Sequence, residues 1–500
     1  MQRFINYLNV FLFITGIQVL FFSEAYSLNP NMKYSIQYDT IYINGDINID
    51  NRDSLIISPG TVMMFTGYFS INVSGKIIAA GTPTDSIVFT VADTTGFSNI
   101  NIGAGGWNGI RFEDTPAQND SSLFSYCRFE YGKATGDSAN CFGGVIRMVR
   151  YHSVRISNSS FVNNYAYLRG GAIHAYKSNP VIEHSVFEDN FAGNDTPDVF
   201  GYGGGVSYYA SNPTIKFCTF RNNSSTGFGG GLVFDYSNPE ILNCVFTENF
   251  SGLGGAIGFL RSVTNRTIAN LLIYNNASEF FGGGIAISDS DPKFNNLTIV
   301  NNQSSMGGGY YCNNGATPDI YNSIIWGNNS GNAGGYLGSQ VWIWDIISTP
   351  GFYNCNVQYG TEQFGGSTFI GVYENNIDGD PLFSDPAIKD FKLTMDSPCI
   401  NTGTSDTTGL FIPAFDFAMM PRINHGVIDM GAYEYYGPFP GVIPGDADCD
   451  GVVNILDIIT IANHIIGLNP EPFCFENADL NFDASIDLLD LICTTSIILQ

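Results

Sequence analysis

Five hundred residues with 44% hydrophobic content are enough for several domains and a sizeable core; 57 glycines and 27 tyrosines against 13% charged residues point to an all-β chain of the secreted kind. A formal charge of −26 argues against a nucleic-acid partner, which needs Lys and Arg in excess, and makes calcium the natural partner of so many carboxylates. Ten cysteines without a C-x-x-C pair give neither a zinc site nor a dense disulfide framework.

Met1-Gln2-Arg3 leads into an apolar run over 10–22 and then Ser23-Glu24-Ala25-Tyr26-Ser27. A basic start, a short apolar core and small residues before a polar stretch predict a secretory signal over 1–27, cut after Ala25 or Ser27. An uncleaved membrane anchor is the competing reading. From 34 to 90 apolar residues alternate with period two, as in Ile41, Ile43, Ile47 and Ile49, and later Ile71, Val73 and Ile77. Turns at Asn44-Gly45 and Ser58-Pro59-Gly60 separate these short strands.

The phrases Ser74-Gly75-Lys76-Ile77-Ile78-Ala79-Ala80-Gly81-Thr82, Ile87-Val88-Phe89-Thr90 and Trp107-Asn108-Gly109-Ile110-Arg111-Phe112 resemble the leading coils of bacterial right-handed parallel β-helix proteins. The glycine repeats that follow are similar to those of polymorphic outer-membrane and pectate-lyase-like chains. The resemblance covers most of the chain and implies a fold much more strongly than a function.

From 158 to 328 one phrase recurs: an apolar anchor, an Asn three residues on, a glycine cluster and a brief apolar strand. The anchors Phe161, Phe187, Phe220, Phe246, Ile273, Ile299 and Ile325 lie 26, 33, 26, 27, 26 and 26 residues apart. A fixed period in this range marks a solenoid, and glycine triplets with Phe, Ile, Val and Thr exclude helical repeats. The repeat predicts an all-β parallel β-helix with a rise of roughly 4.8 Å per coil, and the resemblance implies that it is right-handed. Three residues before the anchors stand Asn158, His184, Phe217, Asn243, Asn270, Asn296 and Asn322, read as an inward amide ladder. Cys218 and Cys244 fall in adjacent coils, as buried free thiols or a bridge, the thiols being favoured.

The spacing from Phe187 to Phe220 is longer by seven, and 194–200 is the expected loop insertion. The last regular coil loosens around Trp342-Ile343-Trp344. From about 375 the phrases Asp380-Pro381-Leu382-Phe383, Ser397-Pro398-Cys399-Ile400 and Val427-Ile428-Asp429-Met430-Gly431-Ala432-Tyr433-Glu434 look like the closing segment of the same family, which caps the open end of the stack. The expected domains are therefore a signal over 1–27, a β-helix over 28–436, a Pro- and Gly-rich linker over 437–444 and a second module over 445–500.

In that module Asp446, Asp448, Asp450, Asn454 and Asp457 occupy loop positions one, three, five, nine and twelve, with Gly451 at six and the Val452 carbonyl at seven. The pattern returns thirty-three residues later as Asp479, Asn481, Asp483, Ser485, Asp487 and Asp490. Hard oxygen donors converging around a glycine turn are the signature of a calcium loop, and two copies predict two sites. Aspartate at position twelve and the missing entering helix resemble type I dockerin modules. The resemblance implies a small α-helical calcium-binding domain that docks onto cohesin domains, with Ile455, Leu456, Leu488 and Leu489 at the partner-reading positions. Ala484 departs from the position-six glycine.

Function remains open among three readings. One is a secreted, carbohydrate-associated protein attached through this calcium-dependent module to a cohesin-like or cell-surface partner in polysaccharide processing. The second is a polysaccharide lyase or glycoside hydrolase acting in a groove on the coils, and the third a non-catalytic adhesin or spacer. His174, Tyr176, Tyr209 and Asp235, following the glycine clusters, are the outward candidates for a sugar face, and no carboxylate pair singles out a catalytic site.

Overall fold

The computed structural model describes residues 19–20, 33–36 and 40–499, apart from 114, 117, 137–139, 197–198, 332–336, 405, 425, 438–441 and 482–484. The expected signal lies almost wholly outside these residues, as does part of the expected linker. The chain forms two units. One holds Met1–Glu240, Val245–Val263 and Asn276–Ile287; the other holds Ile241–Cys244, Thr264–Asn275 and Ser288–Gln500.

In the first unit each coil gives one strand, or a kinked pair, to each of three parallel sheets. One coil runs through Ile173–Tyr176, then Val181–Glu183 and Val186–Glu188, then Phe191–Ala192. Its strands pair with their equivalents one repeat away: Ile173 with Val206, Phe187 with Phe220, Phe191 with Ser224. The anchors of the sequence pattern stack ring on ring, Phe161 on Phe187 at 4.7 Å, Phe187 on Phe220 at 4.8 Å and Phe220 on Phe246 at 5.0 Å. Phe89 and Phe129 extend the same column upstream of the regular repeat. Cys218 and Cys244 are both free and buried.

Glycine is required where coils approach most closely. A Cβ on Gly204 would lie 2.3 Å from the Ser224 carbonyl oxygen and 2.4 Å from that of Gly230. Gly203 just before it turns at φ +68°, a conformation costly to any residue with a Cβ.

The continuous amide ladder runs in a different column from the one expected. Asn190 Nδ2 donates to Asn223 Oδ1 at 2.8 Å, and Asn223 Nδ2 to Asn249 Oδ1 at 3.0 Å. Asn164 and Asn276 extend the run at either side. Each Oδ1 also accepts the backbone N–H of the preceding Asn, and each Nδ2 also donates to a carbonyl such as that of Phe187. These are the residues three after the anchors. The column three before them, Asn158 to Asn322, has left-handed backbone at φ 48–55°, which kinks the sheet strand; Asn is favoured there because it tolerates that conformation. Asn158 and His184 in this column are exposed, whereas Asn243, Asn270, Asn296 and Asn322 are buried, and one rung of the expected kind is present there, Asn270 Nδ2 donating to Asn243 Oδ1 at 3.0 Å.

The second unit repeats the scheme with Lys293–Val300, Asp319–Tyr321, Gly351–Tyr353 and Val372–Glu374 in one parallel sheet. Its own ladder runs Asn302, Asn328, Gln340 and Gln358: Gln340 accepts from Asn328 Nδ2 at 2.8 Å and donates to Gln358 Oε1 at 2.9 Å. The segment from about 375, expected to close an end, is fastened along the side of the coils. Asn243 donates to the Asp416 carbonyl, Asn270 to that of Phe415, and Asn296 to those of Asp429 and Gly431. Asn322 Oδ1 accepts from the Thr404 N–H at 2.7 Å. The left-handed asparagines thus present amide atoms to which the strap bonds.

Arg422, 1% exposed, pins the strap by donating to Asn270 Oδ1 and the Ala432 carbonyl, both at 2.7 Å. Burial first, and then the charge of Asp429, push the Glu434 carboxyl up to about 9; burial also raises Asp429 to about 6. Both carboxyls hold their protons more tightly in the folded state than in the unfolded one. Their contribution to stability is therefore full below the ordinary carboxylate range and lost as pH rises through about 6 and then about 9.

Two outcomes follow for thermal unfolding. Asn223→Ala removes the oxygen that accepts from both the Asn190 N–H and its Nδ2, together with the amide that donates to the Phe187 carbonyl, and costs roughly 3 kcal/mol; an unchanged melting temperature contradicts the ladder's role. Glu434→Gln flattens the decline in melting temperature between pH 5 and pH 9, and an identical slope contradicts the strap assignment.

Candidate metal centre and docking face

The C-terminal module is built from two equivalent loop-helix segments. Helix α1 spans Ile455–Ile465, α2 is the short turn Phe475–Ala478, and α3 spans Leu488–Ile498. Asn454 and Asp487 cap α1 and α3, each within a reciprocal capping box completed by Asp457 and Asp490. Ala447, Ile461 and Ala478 form its buried centre, with Phe473, Ile486 and Leu491 packed around them.

In the first loop, ligand oxygens of Asp446, Asp448 and Asp450 all lie within 4.8 Å of one another. Asp446 Oδ1 accepts from the Asp450 N–H and Oδ2 from the Gly451 N–H, both at 3.0 Å. Asp457, fully buried, accepts from the Asp448 N–H at 3.1 Å and the Asn454 N–H at 2.7 Å. Gly451 sits at φ +86° with open space around a Cβ, so the backbone conformation alone selects glycine. Burial, and then the charge of Asp457, raise the Asp448 carboxyl above its usual range. Converging carboxylates inside a turn held by N–H donors fit a hard cation such as calcium.

The second loop repeats the two Asp457 bonds and adds a third, from the Leu480 N–H to Asp490 Oδ1 at 2.8 Å. Fully buried Asp490 accepts from the Asn481 N–H at 3.2 Å and the Asp487 N–H at 2.9 Å, and Asp479 is 3% exposed, as Asp446 is 2%. Asp483 and Ala484 lie outside the described residues, so the departure at position six belongs to the sequence alone.

Residues 117–270 match the family model of the right handed beta helix region, and residues 444–494 that of the dockerin type I domain. The chain carries a right-handed β-helix and a type I dockerin module. No curated protein matches it.

Ile455, Leu456, Leu488 and Leu489 are 60%, 51%, 65% and 50% exposed at the N-terminal ends of the dockerin's two long helices. They pack against nothing that would bury them, which leaves the same apolar pair on each copy of the repeat. A further feature had no clear sequence signal: Cys449, at loop position four, is disulfide-bonded to Cys474, the residue preceding α2. Neither a C-x-x-C motif nor a short spacing marks this pair, because the whole of α1 lies between them.

Two of the expected sugar-face residues are corrected. His174 and Asp235 are 5% and 0% exposed. The outward column His174, Ser207, Val233, Gly258 lies beside a second column, Phe142, Arg169, Tyr202, Phe228, and Phe142 stacks over His174 at 5.0 Å. Pointing away from the core is therefore not the same as meeting solvent. Burial, then the charges of Arg169 and Arg147, hold the His174 imidazole well below its usual range and so neutral. Asp235 is held by Arg169 at 3.2 Å and Arg261 at 2.6 Å. Tyr176 and Tyr209 are half-buried, their rings 5.6 Å apart. Trp344 in the second unit is 50% exposed, whereas Trp342 is half-buried against Gly338 and Gly365.

The Cys449–Cys474 bond closes a loop over a sequence separation of 25, so its removal costs the dockerin module about 3 kcal/mol. Cys449→Ala with Cys474→Ala is expected to lower the module's unfolding transition in calcium-free buffer, and an unshifted transition contradicts that role.

Proposed function

We propose that this is a secreted, carbohydrate-associated β-helix protein whose dockerin module, ordered by calcium, attaches it to a cohesin-like or cell-surface partner in polysaccharide processing. A β-helix and a type I dockerin in one chain support an extracellular protein of the cellulosome type. No helix among the described residues is long and apolar enough to cross a membrane. On this reading 1–27 are a signal, 28–436 the β-helix, 437–444 a linker and 445–500 the module.

The observation that carries the reading is the duplicated apolar pair, Ile455 and Leu456, Leu488 and Leu489, left exposed on helices whose first turns are fixed by equivalent carboxylates. Apolar side chains of this size at the same position on two copies of a repeat are what a protein partner reads. The first site would be held by Asp446, Asp448, Asp450, the Val452 carbonyl, Asn454 and Asp457. The second would use Asp479, Asn481, Asp483, Ser485, Asp487 and Asp490. Calcium supplies the positive charge that offsets the repulsion of these carboxylates and so fixes where α1 and α3 begin.

Binding of the full-length chain to an immobilised type I cohesin tests this. Retention is expected with calcium and is lost with chelator. Ile455→Asp combined with Leu488→Asp weakens it by about a hundredfold, while Asp457→Ala lowers calcium affinity at least about tenfold. Retention indifferent to chelator and to both apolar positions contradicts the proposal.

A further inference from the structure

Successive residues of a strand point to opposite faces, so the residues that follow the inward ladder asparagines face outward. Register places Lys133, Tyr165, Phe191, Ser224 and Phe250 in this outward column of the third sheet, and Phe250 at its far end is 48% exposed. Lys133, on the first strand of the sheet, is 0% exposed. Its cover is an excursion of the chain between the strands Ile87–Val91 and Ile110–Phe112. Residues 93–106 fold over the strand Lys133–Ala134, and Gly106 comes so close that a Cβ there would lie 2.5 Å from that of Lys133.

The excursion is wrapped around the ammonium group. Lys133 Nζ donates to the carbonyls of Phe97 and Asn99 at 2.8 Å, of Ala104 at 3.0 Å and of Gly96 at 3.2 Å. Four acceptors meet three N–H groups, which is the coordination shell of an ion rather than a set of paired bonds. The Phe97 ring, its centroid 5.3 Å from Nζ, adds a π face to the shell. Two turns aim the carbonyls inward: the Phe97 N–H donates to the Thr94 carbonyl and the Asn99 N–H to that of Gly96, both at 3.0 Å. Gly105 closes the loop at φ +75°, where a Cβ would lie 2.3 Å from the Phe97 nitrogen. Thr135 Oγ1, two residues beyond the lysine, holds the Ile100 carbonyl at 2.7 Å. Burial draws the ammonium down to about 8, still above neutrality, and the carbonyl oxygens favour its charged form, so the group is a cation at pH 7.

The donor set selects a class of ion. Oxygen ligands hold calcium at roughly 2.3–2.6 Å and magnesium at about 2.0–2.1 Å, and both ions favour carboxylates. Four neutral carbonyls at 2.8–3.2 Å are too distant for either and bring no charge to offset a second positive one. Carbonyl oxygens gathered in this way replace the hydration shell of a monovalent cation. We propose that residues 96–104 form a monovalent-cation site whose resident ion is the chain's own Lys133 ammonium. The tethered ion orders the loop over the first strand of the third sheet and, being covalently attached, does so whatever ions the medium holds. The calcium loops proposed for the dockerin take the opposite course and draw their cation from solution. The Lys133 site is independent of both the carbohydrate and the cohesin readings.

Hydrogen–deuterium exchange of the full-length chain at pH 7, native and Lys133→Ala, tests the proposal. In the variant, exchange over 94–106 quickens by about tenfold, because the carbonyls lose the charge that gathers them. Ammonium chloride slows it again by refilling the shell. Tetramethylammonium chloride at the same concentration leaves it fast, since its ion has no N–H to donate. Protection of Ile173–Tyr176 at the native level shows that the coils stay folded. Unchanged exchange over 94–106, or equal recovery in both salts or in neither, overturns the site. If Lys133→Ala also strips Ile173–Tyr176 of protection, Gly105→Ala decides the matter, because it keeps the lysine and spoils the turn that aims the carbonyls. Lys133 then takes up an acetyl group from an amine-directed reagent at least about tenfold faster than in the native chain, as read by mass spectrometry. A Lys133 as resistant there as in the native chain overturns the site.

Discussion

Each coil of this protein must hand its inward polar groups to the next one. Within the sheets the backbone does this by parallel pairing, but at the turn after each anchor the N–H groups leave the sheet while still buried. The asparagines of the ladder take over at that point, each accepting from one neighbour and donating to the other. The constraint explains how the chain absorbs an insertion. Asn190 and Asn223 are separated by 33 residues where the other ladder pairs of the first unit are separated by 26 or 27, yet their side chains still meet at 2.8 Å. The extra residues lie between strands, and the ladder keeps its register.

The same logic operates in the dockerin module at smaller scale. Asp457 and Asp490 are fully buried carboxylates, each accepting from its own loop (the Asp448 N–H for Asp457, the Leu480 and Asn481 N–H groups for Asp490) and from the residue that caps the following helix. They tie the loop that gathers oxygen ligands to the helix that presents an apolar pair. On the proposed reading, metal binding and partner binding are coupled because one side chain belongs to both. The disulfide between Cys449 and Cys474 adds a second, metal-independent tie across α1.

Much of this was legible in the sequence, for a physical reason: repetition. The anchor spacing predicted the stacked phenylalanines, and the duplicated loop pattern predicted two equivalent loop-helix segments. What sequence could not separate was two uses of one residue type. Asparagine three places before the anchor serves a left-handed backbone, and asparagine three places after it serves the ladder; both recur at the same period. Burial of His174 and Asp235 was hidden because their cover, Phe142 and Arg169, comes from the segment before the glycines. The strap over Asn243, Asn270 and Asn296 was hidden because its bonds join residues more than a hundred positions apart.

On the proposed reading the loop carboxylates and the apolar pairs act as one unit, in which calcium orders the dockerin module and the ordered module holds a protein. Sedimentation velocity of the full-length chain with a type I cohesin, before and after chelation, tests this most directly. A complex is expected in calcium, and separate components once chelator is added. A complex that persists in chelator, or none in calcium, would contradict the reading.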